Sequence, residues 1–96
     1  MYVPVTHLDL VKNAMFNAGA GKIGNYERCC WQVLGEGQFC PRSDASPYIG
    51  RVGILERVDE YRVEMVCEDH LYEKVLSALQ DAHPYEEPAF DAIRLL

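Results

Sequence analysis

The sequence predicts an α+β sandwich, one antiparallel sheet carrying two helices on one face. Three observations predict it. Apolar residues recur at helical spacing in two stretches, around Leu8 to Ala18 and Leu71 to Ala82, while β-prone stretches flank and separate them. The resulting order is β-α-β-β-α-β. A proline-bounded corner, His83-Pro84-Tyr85-Glu86-Glu87-Pro88, then separates the second helix from a final apolar stretch. With 96 residues the chain makes one domain, residues 1–96, with one two-layer core.

Taken in order, Met1 to Val5 is short and β-prone and reads as the first strand. Thr6 opens the first helix, with Asp9 at the third position of a capping box. Leu8, Val11, Met15 and Ala18 form its apolar stripe, and Gly19-Ala20-Gly21 ends it. Lys22-Ile23-Gly24-Asn25 is a turn. Residues 26–34, with Cys29, Cys30, Trp31 and Val33, read as a strand. Residues 35–47, rich in Gly, Pro and Ser, read as a long loop of the kind that carries function. Residues 48–67 read as β again. From Tyr61 onward the alternation is strict, with Tyr61, Val63, Met65 and Cys67 on one face and Arg62 and Glu64 on the other. Asp69 is the expected N-cap of the second helix. Its stripe is Leu71, Val75, Ala78, Leu79 and Ala82, and residues 88–95 are the expected last strand. This order is that of a ferredoxin-like βαββαβ fold with a four-stranded sheet.

Composition narrows the function. Charged residues make up 25% and the formal net charge is −6, which disfavours nucleic-acid binding driven by phosphate neutralisation and disfavours anionic membranes. No apolar run approaches the length of a membrane span, and the first residues lack the pattern of a signal peptide. The four cysteines contain no C-x-x-C pair, so reduced thiols in the cytoplasm are expected. The alternative is a soft-metal site using Cys29 or Cys30 with Cys40, although the spacing matches no zinc pattern.

Three places carry chemistry. His83 with Glu86 or Glu87 offers imidazole and carboxylate donors to a divalent metal ion. Consecutive glutamates point apart on a strand, so Glu86 is the candidate partner and a third ligand must come from elsewhere, such as Glu56, Glu60, Glu64 or another subunit. The competing reading has His83 hydrogen-bonded within the loop and the glutamates ion-paired with Arg62 or Lys22. Gly19 to Gly24, with Lys22, holds the materials of an anion nest, but it follows a helix and precedes a strand, the reverse of a phosphate loop; a helix C-cap and turn is the plainer account. Trp31, Phe39 and Tyr48 line either a pocket or the core. No nucleophile–base pair is visible, so no enzyme is expected.

Together, Ala18 to Tyr26, Cys29, Gly35 to Phe39, Pro47, Ile49-Gly50, Glu56, Glu60, Arg62 and the His83 to Asp91 motif resemble a family. The chain is similar to the CutA/PII-like domain inserted in YqfO-type proteins of the Nif-three-like (NGG-interacting factor) family, and looks still closer to free-standing bacterial versions of that domain. The resemblance implies a ferredoxin-like fold and a homo-oligomer, with a trimer favoured. It departs at the first strand, where only Met1 and Tyr2 precede Val3-Pro4-Val5. The larger family's dinuclear metal site belongs to flanking lobes whose motifs this sequence lacks, so those ligands transfer to no position here. The expected function is a non-enzymatic oligomeric module that binds a small molecule or protein partner. Its expected ligand-binding residues are Lys22, Gly24, Tyr26, Phe39, His83, Tyr85, Glu86 and Glu87. A divalent metal protein using His83 and Glu86 is the alternative, and a small hydrolase is a more remote one.

Overall fold

A computed structural model describes all 96 residues. It contains β1 (Tyr2–Pro4), α1 (Leu8–Asn17), β2 (Trp31–Phe39), β3 (Glu56–Glu64) and α2 (Tyr72–Ala82). Single 3-10 turns, Val5–His7 and Asp69–Leu71, lead into the two helices. The strands form one antiparallel sheet in the order β1-β3-β2. The α+β class and the two helices are as the sequence predicts; the sheet has three strands rather than four.

Alternation along the strands separates two faces. Val3 and Val63 point toward the helices and are buried with Val11, Met15, Ala18, Ala20, Val75 and Leu79 in one cluster. The Lys12 ammonium donates to the Gln32 side chain at 2.8 Å, tying α1 to the same face of β2. Tyr2, Val33, Phe39, Glu60 and Arg62 share the opposite, uncovered face, because cross-strand partners Tyr2 and Arg62, and Val33 and Arg62, lie on one side of the sheet.

The end of α1 follows the double-glycine signal closely. Gly19 has φ +113°, its N–H donates to the Phe16 carbonyl at 3.0 Å, and the Ala20 N–H donates to Met15 at 3.1 Å. These 5→2 and 6→1 bonds make a Schellman cap, and its Ala20–Met15 pair joins the core.

Several expected boundaries move. Neither helix start has a side-chain cap: Thr6 Oγ1 instead bonds His7 Nδ1 at 2.8 Å, and Asp69 lies in the 3-10 turn, paired with Arg94 at 3.0 Å. β2 runs through Gly35 and Gly37, which read as loop punctuation. They are tolerated because β3 supplies a partner at every position from Glu64 back to Glu56. Residues 26–30 lie outside the strand, and Ile23 and Tyr26 close a two-residue turn with Gly24 at φ +56°. The stretch 48–55 is not extended, since Gly50 and Gly53 hold φ of +90° and +80°. The expected last strand, 88–95, forms no ladder. It makes one backbone bond to β1, from Tyr2 N–H to the Ala89 carbonyl at 3.1 Å; a three-residue neighbour and a proline without an N–H leave little to pair with.

Candidate functional site

The site grows from the corner after α2. Pro84 prevents the helix from continuing, and His83 adopts extended geometry, φ −72° and ψ 134°, as a residue before proline does. This aims the chain at the free edge of β1. The imidazole is 6% exposed and fixes that approach through both ring nitrogens. The Tyr85 N–H donates to Nδ1 at 3.2 Å, so Nε2 carries the proton and donates to the Tyr2 carbonyl at 2.7 Å. Burial pushes the His83 pKa below the ordinary histidine range. The Tyr2 bond and the Glu60 charge oppose the shift, and His7 and the N-terminal ammonium add to it.

The anchored corner closes a cleft of about 670 Å³ on the uncovered face of the sheet. Its floor comes from Tyr2, Phe39 and Glu60; one wall is Tyr85, Glu86 and Glu87; the other is the 40–49 loop. The rings of Phe39 and Tyr85 lie 6.1 Å apart and those of His83 and Tyr85 4.9 Å apart. The Glu86 carboxylate accepts the Ser46 N–H at 3.1 Å, joining the two walls. The Tyr85 hydroxyl is shut away from solvent and makes no hydrogen bond within the chain. Its pKa is raised by burial and by the Glu60 carboxylate beside it, so it stays protonated at neutral pH.

Gly37 is part of this construction. A Cβ placed on it would lie 1.9 Å from Glu60 Oε1, so the carboxylate occupies the space a side chain would take. Glu60 was expected only as one possible third metal ligand, and Gly37 not at all. The signal that could have found them is the pair of glycines inside an alternating stretch, which marks close approach by another group.

Four of the expected residues, Phe39, Tyr85, Glu86 and Glu87, line this cleft. His83 stands behind it and positions its wall. Lys22, Gly24 and Tyr26 sit in the exposed turn after α1 and do not line the cleft. The Gly21 N–H of that segment is spent on the Val66 carbonyl at 2.7 Å, and its carbonyl accepts from Cys29, so the glycines serve a structural turn.

His83 and Glu86, the expected metal ligands, are both engaged within the chain. Both imidazole nitrogens make hydrogen bonds, and one Glu86 carboxylate oxygen accepts from the Ser46 N–H. No group of three His, Cys, Asp or Glu side chains gathers closely enough to hold an ion. All four cysteines are free thiols. No ion pair links the glutamates of the corner to Arg62 or Lys22.

A second groove, about 970 Å³ and mostly apolar, runs between α2 and the C-terminal segment, with Met15, Leu76, Phe90 and Ile93 among its lining. No helix is long and apolar enough to cross a membrane.

Comparison with known proteins finds relatives that match the whole chain or nearly all of it. A protein of Mycobacterium leprae named GTP cyclohydrolase 1 type 2 homolog is 52% identical over 96 residues, which is 100% of this chain and 25% of that protein. The homolog from Bacillus subtilis is 44% identical over 91 residues, 95% of this chain and 24% of its own length. The crystal structure of a Bacillus cereus protein related to NIF3 superposes with a TM-score of 0.79 at 44% identity, covering 94% of this chain and 22% of that one. The chain matches one segment of the NIF3-related proteins. It spans about a quarter of the length of the relatives it matches. No family model matches it.

Proposed function

We propose that this NIF3-related segment is a non-enzymatic CutA/PII-like binding module of the cytoplasm, working as a homo-oligomer with a trimer favoured. The observation that carries the reading is the cleft, where an aromatic wall, a buried unpartnered hydroxyl and several carboxylates converge on space large enough for a small molecule.

The oligomer is supported by the uncovered sheet face. Trp31 and Tyr2 are 58% and 42% exposed there, and Val33 is 45% exposed beside them. An apolar surface of this kind on a small domain is stabilised by a partner. Residues 88–95 run beside β1 and would complete a ferredoxin-like four-stranded sheet if oligomer contacts ordered them against it. The cyclohydrolase name belongs to relatives four times as long, and the module reading assigns any such chemistry to their remaining parts. The non-enzymatic reading is supported at His83, the chain's one buried imidazole, whose acceptor nitrogen is already occupied by Tyr85 N–H.

Native mass spectrometry of protein purified without a chelator tests this. A trimer or other closed oligomer is expected, with retained small-molecule mass where the ligand survives purification. A bare monomer at high concentration would overturn the oligomeric module. Turnover that depends on Cys29, Cys30 or His83 would overturn the non-enzymatic reading.

A further inference from the structure

The chain treats the two edges of its sheet differently. β1 is three residues long and ends on Pro4, and the Tyr2 N–H on its outer side is taken up by the Ala89 carbonyl. Short length, proline and a covering segment are devices that keep an edge from pairing with another chain. β2, at the opposite edge, has none of them. It runs nine residues without proline, lysine or arginine, and it pairs with β3 at every position with no bulge. Its outer side is bare, because no residue from Trp31 to Phe39 makes a backbone hydrogen bond outside the ladder with β3. Its one charge, Glu36, is met by Arg57 of the same chain at 3.7 Å, so the edge carries no uncompensated charge to repel a neighbour.

Such an edge accepts another strand, and the residues of β2 indicate which. Trp31 and Phe39 stand at equal distances on either side of Gly35, and so do Gln32 and Gln38. Two copies of β2 laid antiparallel about Gly35 therefore set Trp31 of each copy opposite Phe39 of the other, and Gln32 opposite Gln38. Cross-strand aromatic pairs stabilise a ladder, and facing amides both donate and accept. Trp31 is 58% exposed in the single copy, so its ring is free to make the contact.

The pleat leaves few other registers. Side-chain faces and hydrogen-bonding directions alternate along a strand, so a symmetric antiparallel seam sets one residue opposite its own copy. Centred on Gly35, all nine residues pair. Centring on Glu36 puts two carboxylates directly opposite each other, and centring on Leu34 leaves both aromatic ends unmatched.

We propose that β2 is an interface between two copies of this chain, paired antiparallel about a two-fold axis at Gly35 into one continuous sheet. A two-fold contact needs a patch complementary to itself, and the strand meets that condition from its ends to its centre. Pairing over its length supplies about eight to ten backbone hydrogen bonds. The inference goes beyond the module reading and does not use the cleft. Alone, the seam makes a dimer; together with three-fold assembly it makes a hexamer.

Native mass spectrometry and light scattering of the intact chain test it. A Cβ at Gly35 would meet nothing within 4 Å in a single copy, so Gly35→Lys and Gly35→Glu are expected to fold, which far-UV circular dichroism checks. Across the seam each variant sets like charges directly opposite. The wild type is expected to have an even subunit count. Either variant alone is expected to show half that count, and an equal mixture of the two to restore it. Trp31→Ala removes both aromatic pairs and is expected to weaken association about fivefold. Glu73→Lys on the exposed side of α2 is expected to leave the count unchanged. A dimer or hexamer that survives Gly35→Lys overturns the seam, as does a mixture that stays apart. A wild-type trimer overturns the seam while leaving the oligomeric module standing. A wild-type dimer that Gly35→Lys splits does the reverse for the trimer, and a wild-type monomer at high concentration overturns both.

Discussion

Replacing His83 by alanine removes the one side chain that ties the end of α2 to the first strand. Two hydrogen bonds are lost, Nε2–H to the Tyr2 carbonyl at 2.7 Å and Tyr85 N–H to Nδ1 at 3.2 Å. Each is worth about 1 kcal/mol net, and each leaves a partly buried backbone group short of a partner. The ring is 6% exposed, so its removal also leaves a void, worth about another 1 kcal/mol. The sum is about 2–4 kcal/mol. A domain of this size is stable by roughly 5–14 kcal/mol, so the loss is a large share. It corresponds to a fall in Tm of about 10–25 °C. Urea and thermal unfolding followed by circular dichroism at pH 7.5 measure it. A second signature belongs to the pH dependence. Burial lowers the folded-state pKa, so the unfolded chain binds the proton more readily than the native one. The contribution is then neutral above the unfolded value of about 6.5 and becomes a penalty as pH falls from there toward the folded value. His83→Gln removes that part of the slope between wild type and variant. A loss below about 0.5 kcal/mol for His83→Ala, or an unchanged pH slope in His83→Gln, would refute the role given to this residue.

Other outcomes are expected from the same geometry. Tyr85→Phe discards a buried hydroxyl that has no partner, so the ligand-free protein is expected to be unchanged or more stable by up to about 1 kcal/mol in urea unfolding, against the usual direction for a buried tyrosine. Gly37→Ala would bring a Cβ against the Glu60 carboxylate and force it from its seat; a loss of about 1 kcal/mol is expected from urea unfolding, while the far-UV spectrum keeps its strand signal. Gly21→Ala meets both φ +81° and the Phe16 ring at 2.7 Å, so a loss of about 2 kcal/mol or more is expected from thermal unfolding. Arg94→Ala breaks an exposed pair with Asp69, whose side chains are about four-fifths exposed, and is expected to shift stability by less than about 0.5 kcal/mol.

The helices were legible because their signals are local. Leu8, Val11 and Met15 on one stripe, and Leu71, Val75 and Leu79 on the other, reflect a 3.6-residue period fixed by backbone geometry, and the Gly19-Ala20 cap reflects a φ that favours glycine. The corner at His83-Pro84 was legible for the same reason, since proline constrains its own residue and the one before it. The alternation from Tyr61 was read correctly as far as Glu64, because strand faces follow from a period of two; Met65 and Cys67, read as part of it, lie beyond the end of β3.

What the sequence could not reveal depends on distant partners. Gly35 and Gly37 carry the same local signal in a loop as in a strand, and only pairing with β3 made them strand. His83 and Glu86 look like metal ligands when written in a line; folding turned one imidazole nitrogen to Tyr2, 81 residues away, and the carboxylate to Ser46. Glu60 is one acid among several in β3, and its place in the cleft was decided by the missing side chain across the sheet at Gly37. Local dihedral preference and periodicity are properties of a few neighbouring residues, so the sequence determined the helices, the glycine cap that ends the first of them and the corner. Which groups meet in the cleft is a property of loop closure and strand register, and the tertiary structure alone decided it.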